Sequence, residues 1–471
     1  MRVITCFVFL LLLQQSLTAQ MIKPVGPVPT KAQMNWHDLE FYIFVHFGPN
    51  TFTDREWGHG DEPEDIFNPT ALDCRQWARI ARDAGAKGII ITAKHHDGFC
   101  LWPSDYSKHT VRESKWKNGK GDVLKELSAA CKEYGLLFGI YISPWDRNHP
   151  DYGTPEYNDV YVKTMREAVR EYGPIFEMWW DGANGEGPNG KKQVYDFGRF
   201  EKTIRKIAPQ AVVFSDIGPD VRWVGNESGY AGETNWNLLD TAGFKRGAGG
   251  PSQDTLNSGN VNGKNWIPAE CDVSIRPGWF YHAEEDNKVK SGEQLMSLFL
   301  KSVGRGGNLL LNVPPDRRGL FHEKDSAALM AFKQIRESFF KNNLAQRAKV
   351  TVSEERPGYL PSLLTDGFRF SHWAPSDKSK TVDIELELSG PQTFNTIQLE
   401  EYIELGQRIS RFTVEAWDGN AYKEISRGTT IGKKRILQFP TQTTSKIRVR
   451  ILESKATPVL GEIRLYNGNT Y

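Results

Sequence analysis

Residues 87–99 read KGIIITAKHHDGF, from Lys87 to Phe99. Three consecutive isoleucines with no polar residue between them describe a strand buried on both faces, as in a parallel sheet. The strand runs directly into a polar loop that carries His95, His96 and Asp97. Working outward, the same unit recurs. FYIFVHF (Phe41–Phe47) precedes it, and LLFGIYIS, IFEMWWDGA, AVVFS, AECDVSI and NLLLNVPP follow it.

Helical stretches separate these strands. One starts at Asp73, where Asp-x-x-Gln resembles a capping box; Trp77, Ile80, Ala81 and Ala84 form its apolar face and Gly85 ends it. Others centre on Leu124, Leu127 and Cys131, then Val162–Tyr172, Val194–Ile207 and Glu293–Ser302. Alternating strands and helices predict an α/β fold with a parallel sheet. Polar and aromatic residues end nearly every strand, which favours a (β/α)8-type, TIM-like barrel, irregular in part, over an open sheet. Seven strands are legible. The eighth is lost in a Gly- and Asn-rich stretch from Asp216 to Pro268.

After Asn343 the period changes to two. TVDIELEL, NTIQLEEYI, RFTVEAWD, KIRVRILE and EIRLYN alternate and are divided by turns such as Asp418-Gly419, which predicts an all-β sandwich. DGFRFSHW, EEYIELGQRI and EIRLYN resemble discoidin-like sandwich domains. The expected organisation is a signal peptide over 1–19, a catalytic barrel over 20–343 and a sandwich over 344–471. The leader reading rests on Arg2, the apolar run Val8–Leu13 and small residues near Ala19. It predicts export to the periplasm or the extracellular space, with no membrane insertion.

The formal net charge of +1 comes down to Arg2 of that leader, so there is no electrostatic footprint for nucleic acid. Cys74, Cys100, Cys131 and Cys271 are widely spaced and show neither a metal nor a redox pattern, which reads as buried free thiols. The 14 tryptophans suit sugar stacking and core packing equally.

Asp181 is the sharpest single residue. It follows two tryptophans and precedes a glycine at a strand end, where a carboxylate projects into a partly desolvated pocket; an Asp capping the next loop is the alternative. His46, His95 and His96 face the same mouth but lack His-x-His or His-x-x-x-His spacing, so hydroxyl binding fits better than zinc. Neighbouring strand residues point to opposite sides, so His95 and His96 share a site only where the backbone turns.

In this order, HFGPNTFTDREWG, TAKHHDGF, GIYIS, MWWDGA, RWVGNESG and RPGWFYH resemble glycoside hydrolase family 29, the retaining α-L-fucosidases. The resemblance runs from about Trp36 to the end of the barrel. It implies that Asp181 is a nucleophile and that His46, Glu56, Trp57, His95, His96 and Tyr141 line a fucose pocket with Trp279 near the sugar. Trp57, Trp223 and Trp279 are candidates for the apolar wall that a 6-deoxy sugar needs. The RWVGNE-like segment points to Glu227 as acid/base. Glu233 and Glu270 compete for that role, and Glu270 is also expected to contact substrate.

The same segments resemble the branch acting on α-1,3- and α-1,4-linked fucose of branched, Lewis-type glycans. The implied partners are therefore fucosylated oligosaccharides or glycoconjugates, with no metal and no organic cofactor. A broad fucosidase that includes α-1,2 linkages and a non-catalytic fucose-binding protein are the two alternatives.

Overall fold

Eight parallel strands close into a barrel in the computed structural model, which describes residues 21–471: β1 (Phe41–Val45), β2 (Gly88–Lys94), β3 (Leu137–Ile142), β4 (Glu177–Trp179), β5 (Val212–Ser215), β6 (Val221–Trp223), β7 (Ala269–Ser274) and β8 (Asn308–Asn312). Each pairs with its sequence neighbours, and β8 closes on β1. The leader read over 1–19 lies outside the described residues.

Helix α1 (Cys74–Asp83) connects β1 to β2. Asp73 caps it, its carboxylate accepting the N–H groups of Arg75 and Gln76 at 2.9 and 3.2 Å. The expected capping box forms only in that half. The Gln76 side chain instead binds the Phe321 backbone, accepting its N–H at 3.0 Å and donating to its carbonyl at 2.9 Å. Helices α2 (Val123–Tyr134), α3 (Tyr157–Tyr172) and α4 (Phe197–Ile207) make the next three crossovers. Helix α4 starts later than Val194 because Asp196 is its cap, accepting from Arg199 N–H at 3.0 Å.

The strand hidden from the sequence is β6. It has three residues and follows β5 with no helix between them. The link turns at Gly218, with φ +99°. Asp220 then pins the returning chain, accepting the Val213 N–H at 2.8 Å and pairing with both terminal nitrogens of Arg205 at 2.7 and 2.8 Å. Where a helix would cover this flank there is a loop region with the hairpin Leu238–Leu239/Asn265–Trp266 and the short helix Gln253–Ser258. Helices α5 (Gly292–Ser302) and α6 (Glu323–Phe339) follow β7 and β8.

Strand side chains alternate between the barrel interior and the helices. The register aligns Tyr42 and Phe44 of β1 with Leu310 and Asn312 of β8, and these with Asp272 and Ser274 of β7. Trp179 aligns with Tyr141 and with Phe214. The interior therefore rises in columns: Tyr42, Phe44 and His46; Glu177, Trp179 and Asp181; Glu270, Asp272 and Ser274. Gly139 shares this interior, where a Cβ would stand 2.8 Å from Ile90 Cγ1. Trp36, Tyr42, Phe44, Ile90, Tyr141, Trp179, Val212, Phe214, Val221 and Leu310 form the packed core. Four of these are Trp or Tyr, whose polar tips need partners when buried.

A second compact unit comprises residues 21–28, Asn342–Gly432 and Ile436–Asn467. It is an antiparallel sheet of six strands: Lys349–Val352, Val382–Glu401, Ile409–Trp417, Tyr422–Gly428, Arg435–Ser454 and Leu460–Tyr466. The long strand Val382–Glu401 serves two neighbours, pairing with Lys349–Val352 through its first half and with Leu460–Tyr466 through its second. Alternate residues such as Ile384, Leu386, Ile397, Leu399, Val449 and Ile451 bury its core around Trp373. Among the described residues no helix is long and apolar enough to cross a membrane. Cys74, Cys100, Cys131 and Cys271 are buried free thiols.

Candidate active site

The tops of the interior columns enclose a cavity of about 200 Å³ at the carboxyl ends of the strands. Asp181 stands just beyond β4, fixed on both oxygens. Oδ1 accepts the Ala183 N–H at 2.8 Å, and Oδ2 accepts the Tyr141 hydroxyl at 2.9 Å. Burial and the Asp181 charge push the Tyr141 phenol well above its ordinary range, so it stays protonated and donates. Tyr141 in turn stacks on Trp179, with ring centroids 5.2 Å apart, and Trp179 stacks on Phe214 at 4.0 Å. The carboxylate is held by a rigid aromatic stack.

Three imidazoles face it. His95 and His96 both reach the cavity because β2 ends at Lys94 and the backbone turns, with Gly98 N–H donating to the His95 carbonyl at 3.1 Å. Burial lowers His46 to about 3 and His96 to about 4, and it takes His95 well below its ordinary value with help from His96 and His46. All three are neutral at pH 7. Their partners assign the tautomers of two.

Asn312 Nδ2 donates to the Trp279 carbonyl at 2.8 Å and to Ser274 Oγ at 2.9 Å, so its Oδ1 faces His46 Nδ1 at 2.8 Å as acceptor. Ser143 spends its hydroxyl proton on the Trp145 carbonyl at 2.8 Å and so accepts from His96 Nδ1 at 2.7 Å. His46 and His96 therefore keep Nε2 as a hydrogen-bond acceptor. His96 Nε2 lies 3.6 Å from Asp181 Oδ2.

Glu227 comes from the loop after β6. Gly225 and Gly229 flank the loop at φ +87° and +75°, and Asn226 ties it across by donating to the Tyr230 carbonyl at 2.9 Å and accepting from Ser228 N–H at 3.1 Å. Glu227 itself is exposed and accepts the Trp279 indole N–H at 3.2 Å. Trp279 is anchored by Glu56, whose carboxylate accepts the backbone N–H groups of Trp279 at 2.8 Å and Phe280 at 3.3 Å. Gly278 makes that approach possible, since a Cβ there would meet Glu56 Oε1 at 2.5 Å.

His282 bridges Glu56 at 2.6 Å and Asp54 at 2.8 Å. Those two carboxylates outweigh its burial and raise its pKa. Trp57 lies edge-on to His96 and Trp145, both centroids 5.7 Å away.

Of the candidate residues, Asp181, Glu227, His46, Glu56, Trp57, His95, His96, Tyr141 and Trp279 line this one cavity. Glu270 and Trp223 do not. Glu270 sits one layer deeper, fully buried, accepting from Trp179 Nε1 at 2.8 Å and from the Tyr42 hydroxyl. Trp223 packs at the edge of the core. The cavity adds Phe44, Trp179, Ala183 and Asp272. Phe44 and Trp179 are two residues before His46 and Asp181, and Asp272 two after Glu270, so period-two alternation would have found all three. Among the described residues no group of three or more His, Cys, Asp or Glu is arranged to hold a metal ion.

The family model described as Alpha-L-fucosidase matches residues 51–334. The chain is 41% identical to Alpha-L-fucosidase 1 of Arabidopsis thaliana over 98% of its own length and 92% of that protein. The solved structure of a glycoside hydrolase 29 family member from an unknown rumen bacterium is 40% identical, with a TM-score of 0.85, covering 95% of this chain and 79% of that one. A Ruminococcus gnavus GH29 fucosidase in complex with fucose is 32% identical with a TM-score of 0.86, covering 97% and 98%. With a barrel of this register, a pocket at its carboxyl face and likeness along nearly the whole chain, the protein belongs to glycoside hydrolase family 29 and is an α-L-fucosidase.

Proposed function

We propose that this enzyme is a retaining exo-fucosidase in which Asp181 is the nucleophile and Glu227 the acid/base. The observation that carries the reading is that these two carboxyl groups, from β4 and from the loop after β6, line one cavity of about 200 Å³, room for a single sugar. In the first step an Asp181 oxygen bonds to the anomeric carbon of fucose. The bond to the glycosidic oxygen breaks, and that oxygen takes the Glu227 proton. In the second, Glu227 removes a proton from water, whose oxygen bonds to the anomeric carbon as the Asp181 ester breaks, so α-L-fucose leaves with retention.

The surrounding groups suit this chemistry. Tyr141 and the Ala183 amide each donate a hydrogen bond to Asp181 and hold its carboxyl group in place. His46 Nε2 and His96 Nε2 accept sugar hydroxyls, and Phe44, Trp179 and Trp279 offer apolar surface to a methyl group. The mechanism needs no metal and no organic cofactor.

The RWVGNE-like and RPGWFYH segments favour α-1,3- and α-1,4-linked fucose on branched glycans, and the sequence of residues 1–19 favours export to the periplasm or beyond. Release of fucose from a Lewis trisaccharide, an α-1,2-linked fucoside and an aryl fucoside, with the anomer of the first product read by NMR, tests the reading. β-Fucose as first product would overturn retention. Equal rates on all linkages would overturn the preference alone.

A further inference from the structure

Asp272 stands on the pocket floor, on β7 between Glu270 below and Ser274 above. It is 4% exposed, and its Oδ1 has no hydrogen-bond partner. The charges that act on it most are themselves acidic, Glu227 and Glu270. Burial first, and then those two carboxylates, push Asp272 well above the ordinary carboxylate range. Both effects favour the protonated form, which, unlike an ionised carboxylate, can donate.

Apart from the His95 ring and the Trp57 indole, the rest of the pocket offers few such donors. His46 and His96 present acceptor nitrogens, the Tyr141 hydroxyl is spent on Asp181, and Glu56 is filled by two backbone amides and His282. A sugar hydroxyl that gives its single proton to an imidazole keeps lone pairs that need a donor, or they are buried unsatisfied.

We propose that Asp272 is a sugar-recognition residue: its carboxyl group, on the pocket floor with Oδ1 unpartnered, donates a hydrogen bond to one fucose hydroxyl, whose own proton goes to a pocket acceptor. The proposal rests on the reading of this cavity as the fucose site. It gives that site a donor that neither Asp181 nor Glu227 supplies, and it requires no change in the ionisation of Asp272 during turnover.

The test compares the full-length wild type with Asp272→Asn, Asp272→Leu and Asp272→Ala. Calorimetric titration with α-L-fucose, kcat and KM on an aryl fucoside, and Tm are read for each. Asn retains an N–H donor and is expected to bind fucose within about 3-fold of wild type, whereas Leu and Ala are expected to bind about 10- to 100-fold more weakly. Leu relieves a buried acid, so its Tm should not fall; Ala covers the case in which Leu overfills the floor.

Folded Leu or Ala variants that bind fucose like the wild type would overturn the proposal. So would an Asn variant as weak as Leu, because the donor would then be irrelevant. A wild type that neither binds fucose nor releases it from the aryl fucoside would overturn the reading of the cavity itself. A wild type that does both, with unaffected variants, overturns only the role of Asp272.

Discussion

The indole N–H of Trp279 donates to Glu227 Oε2 at 3.2 Å, while the backbone N–H of the same tryptophan is held by Glu56 at 2.8 Å. Trp279 is thus both a wall of the sugar pocket and a side-chain partner that orients Glu227. Trp279→Phe keeps the wall and removes the orienting bond. Its kcat/KM on a natural glycan should fall about 10-fold, the scale of one hydrogen bond to a charged group. The fall on an aryl fucoside, whose leaving group needs less protonation, should be smaller. Equal losses on both substrates would mean that the bond does not serve proton transfer.

Asp181→Ala should lower turnover at least ~10³-fold with the fold intact, because it removes a nucleophile and no packing. Azide, small enough to enter the vacated space, should restore turnover and give the β-fucosyl azide. Recovered activity without azide on a natural glycan would exclude Asp181 as nucleophile.

The histidines predict how stability depends on pH. His46 titrates near 3 and His96 near 4 in the folded chain, against an unfolded value near 6.5. Between those values the unfolded chain binds more protons than the folded one. Each residue's contribution is therefore complete above about pH 6.5 and shrinks as pH falls, by up to ~1.4 kcal/mol per pH unit. His46→Asn deletes one of these terms, so its Tm should fall less between pH 6.5 and pH 4 than the wild-type Tm does. Parallel Tm curves would show that His46 is not held neutral.

Glu270 accepts Trp179 Nε1 at 2.8 Å and hydrogen-bonds Glu177 in a fully buried carboxyl pair whose pKa values burial raises. The pair holds a proton, so an amide can replace one member. Glu270→Gln should keep kcat/KM within about 10-fold, and Glu270→Ala should lose about 2–4 kcal/mol of stability by stranding Trp179, Tyr42 and Glu177. Chemical denaturation and aryl-fucoside kinetics check both. A Glu270→Gln enzyme impaired mainly on natural glycans would instead make Glu270 the proton donor.

Much of this site is legible because strand ends announce themselves. FYIFVHF, KGIIITAKHHDGF and IFEMWWDG each pass from apolar residues to His or Asp within a residue or two, and those positions line the cavity. β6 was hidden for the opposite reason. Val221–Trp223 is too short to show a period, and no helix sets it off from β5, because Asp220 and Arg205 do locally what a crossover helix does elsewhere. Asp272 and Glu270 occur together in AECDVSI, and composition cannot rank them. Only the height of each along the barrel interior separates the carboxyl on the pocket floor from the one beneath it.

Glu227→Gln joins the acid/base assignment to linkage choice. Glutamine keeps the Trp279 contact and the loop but cannot give up a proton, so cleavage of natural glycans, with alcohol leaving groups, should slow by about 10²- to 10⁴-fold. On an activated aryl fucoside the first step should survive better, and a burst of aryl product followed by slow turnover is expected because the second step still needs a base. The wild type should prefer fucose α-1,3- or α-1,4-linked to an N-acetylglucosamine that also carries galactose. The segment from Asp216 to Pro268 contributes Glu227 to the cavity and supplies loop beyond it, so a second sugar beside the fucose can be touched near the proton donor. Binding energy from that sugar positions the reacting bond and should appear in kcat as well as KM. Linkage-resolved kinetics on trisaccharides and α-1,2-fucosides check this. Equal kcat/KM across linkages would remove the loop from specificity and leave the chemistry standing, whereas Glu227→Gln with wild-type rates on the trisaccharide would move the acid/base to another residue.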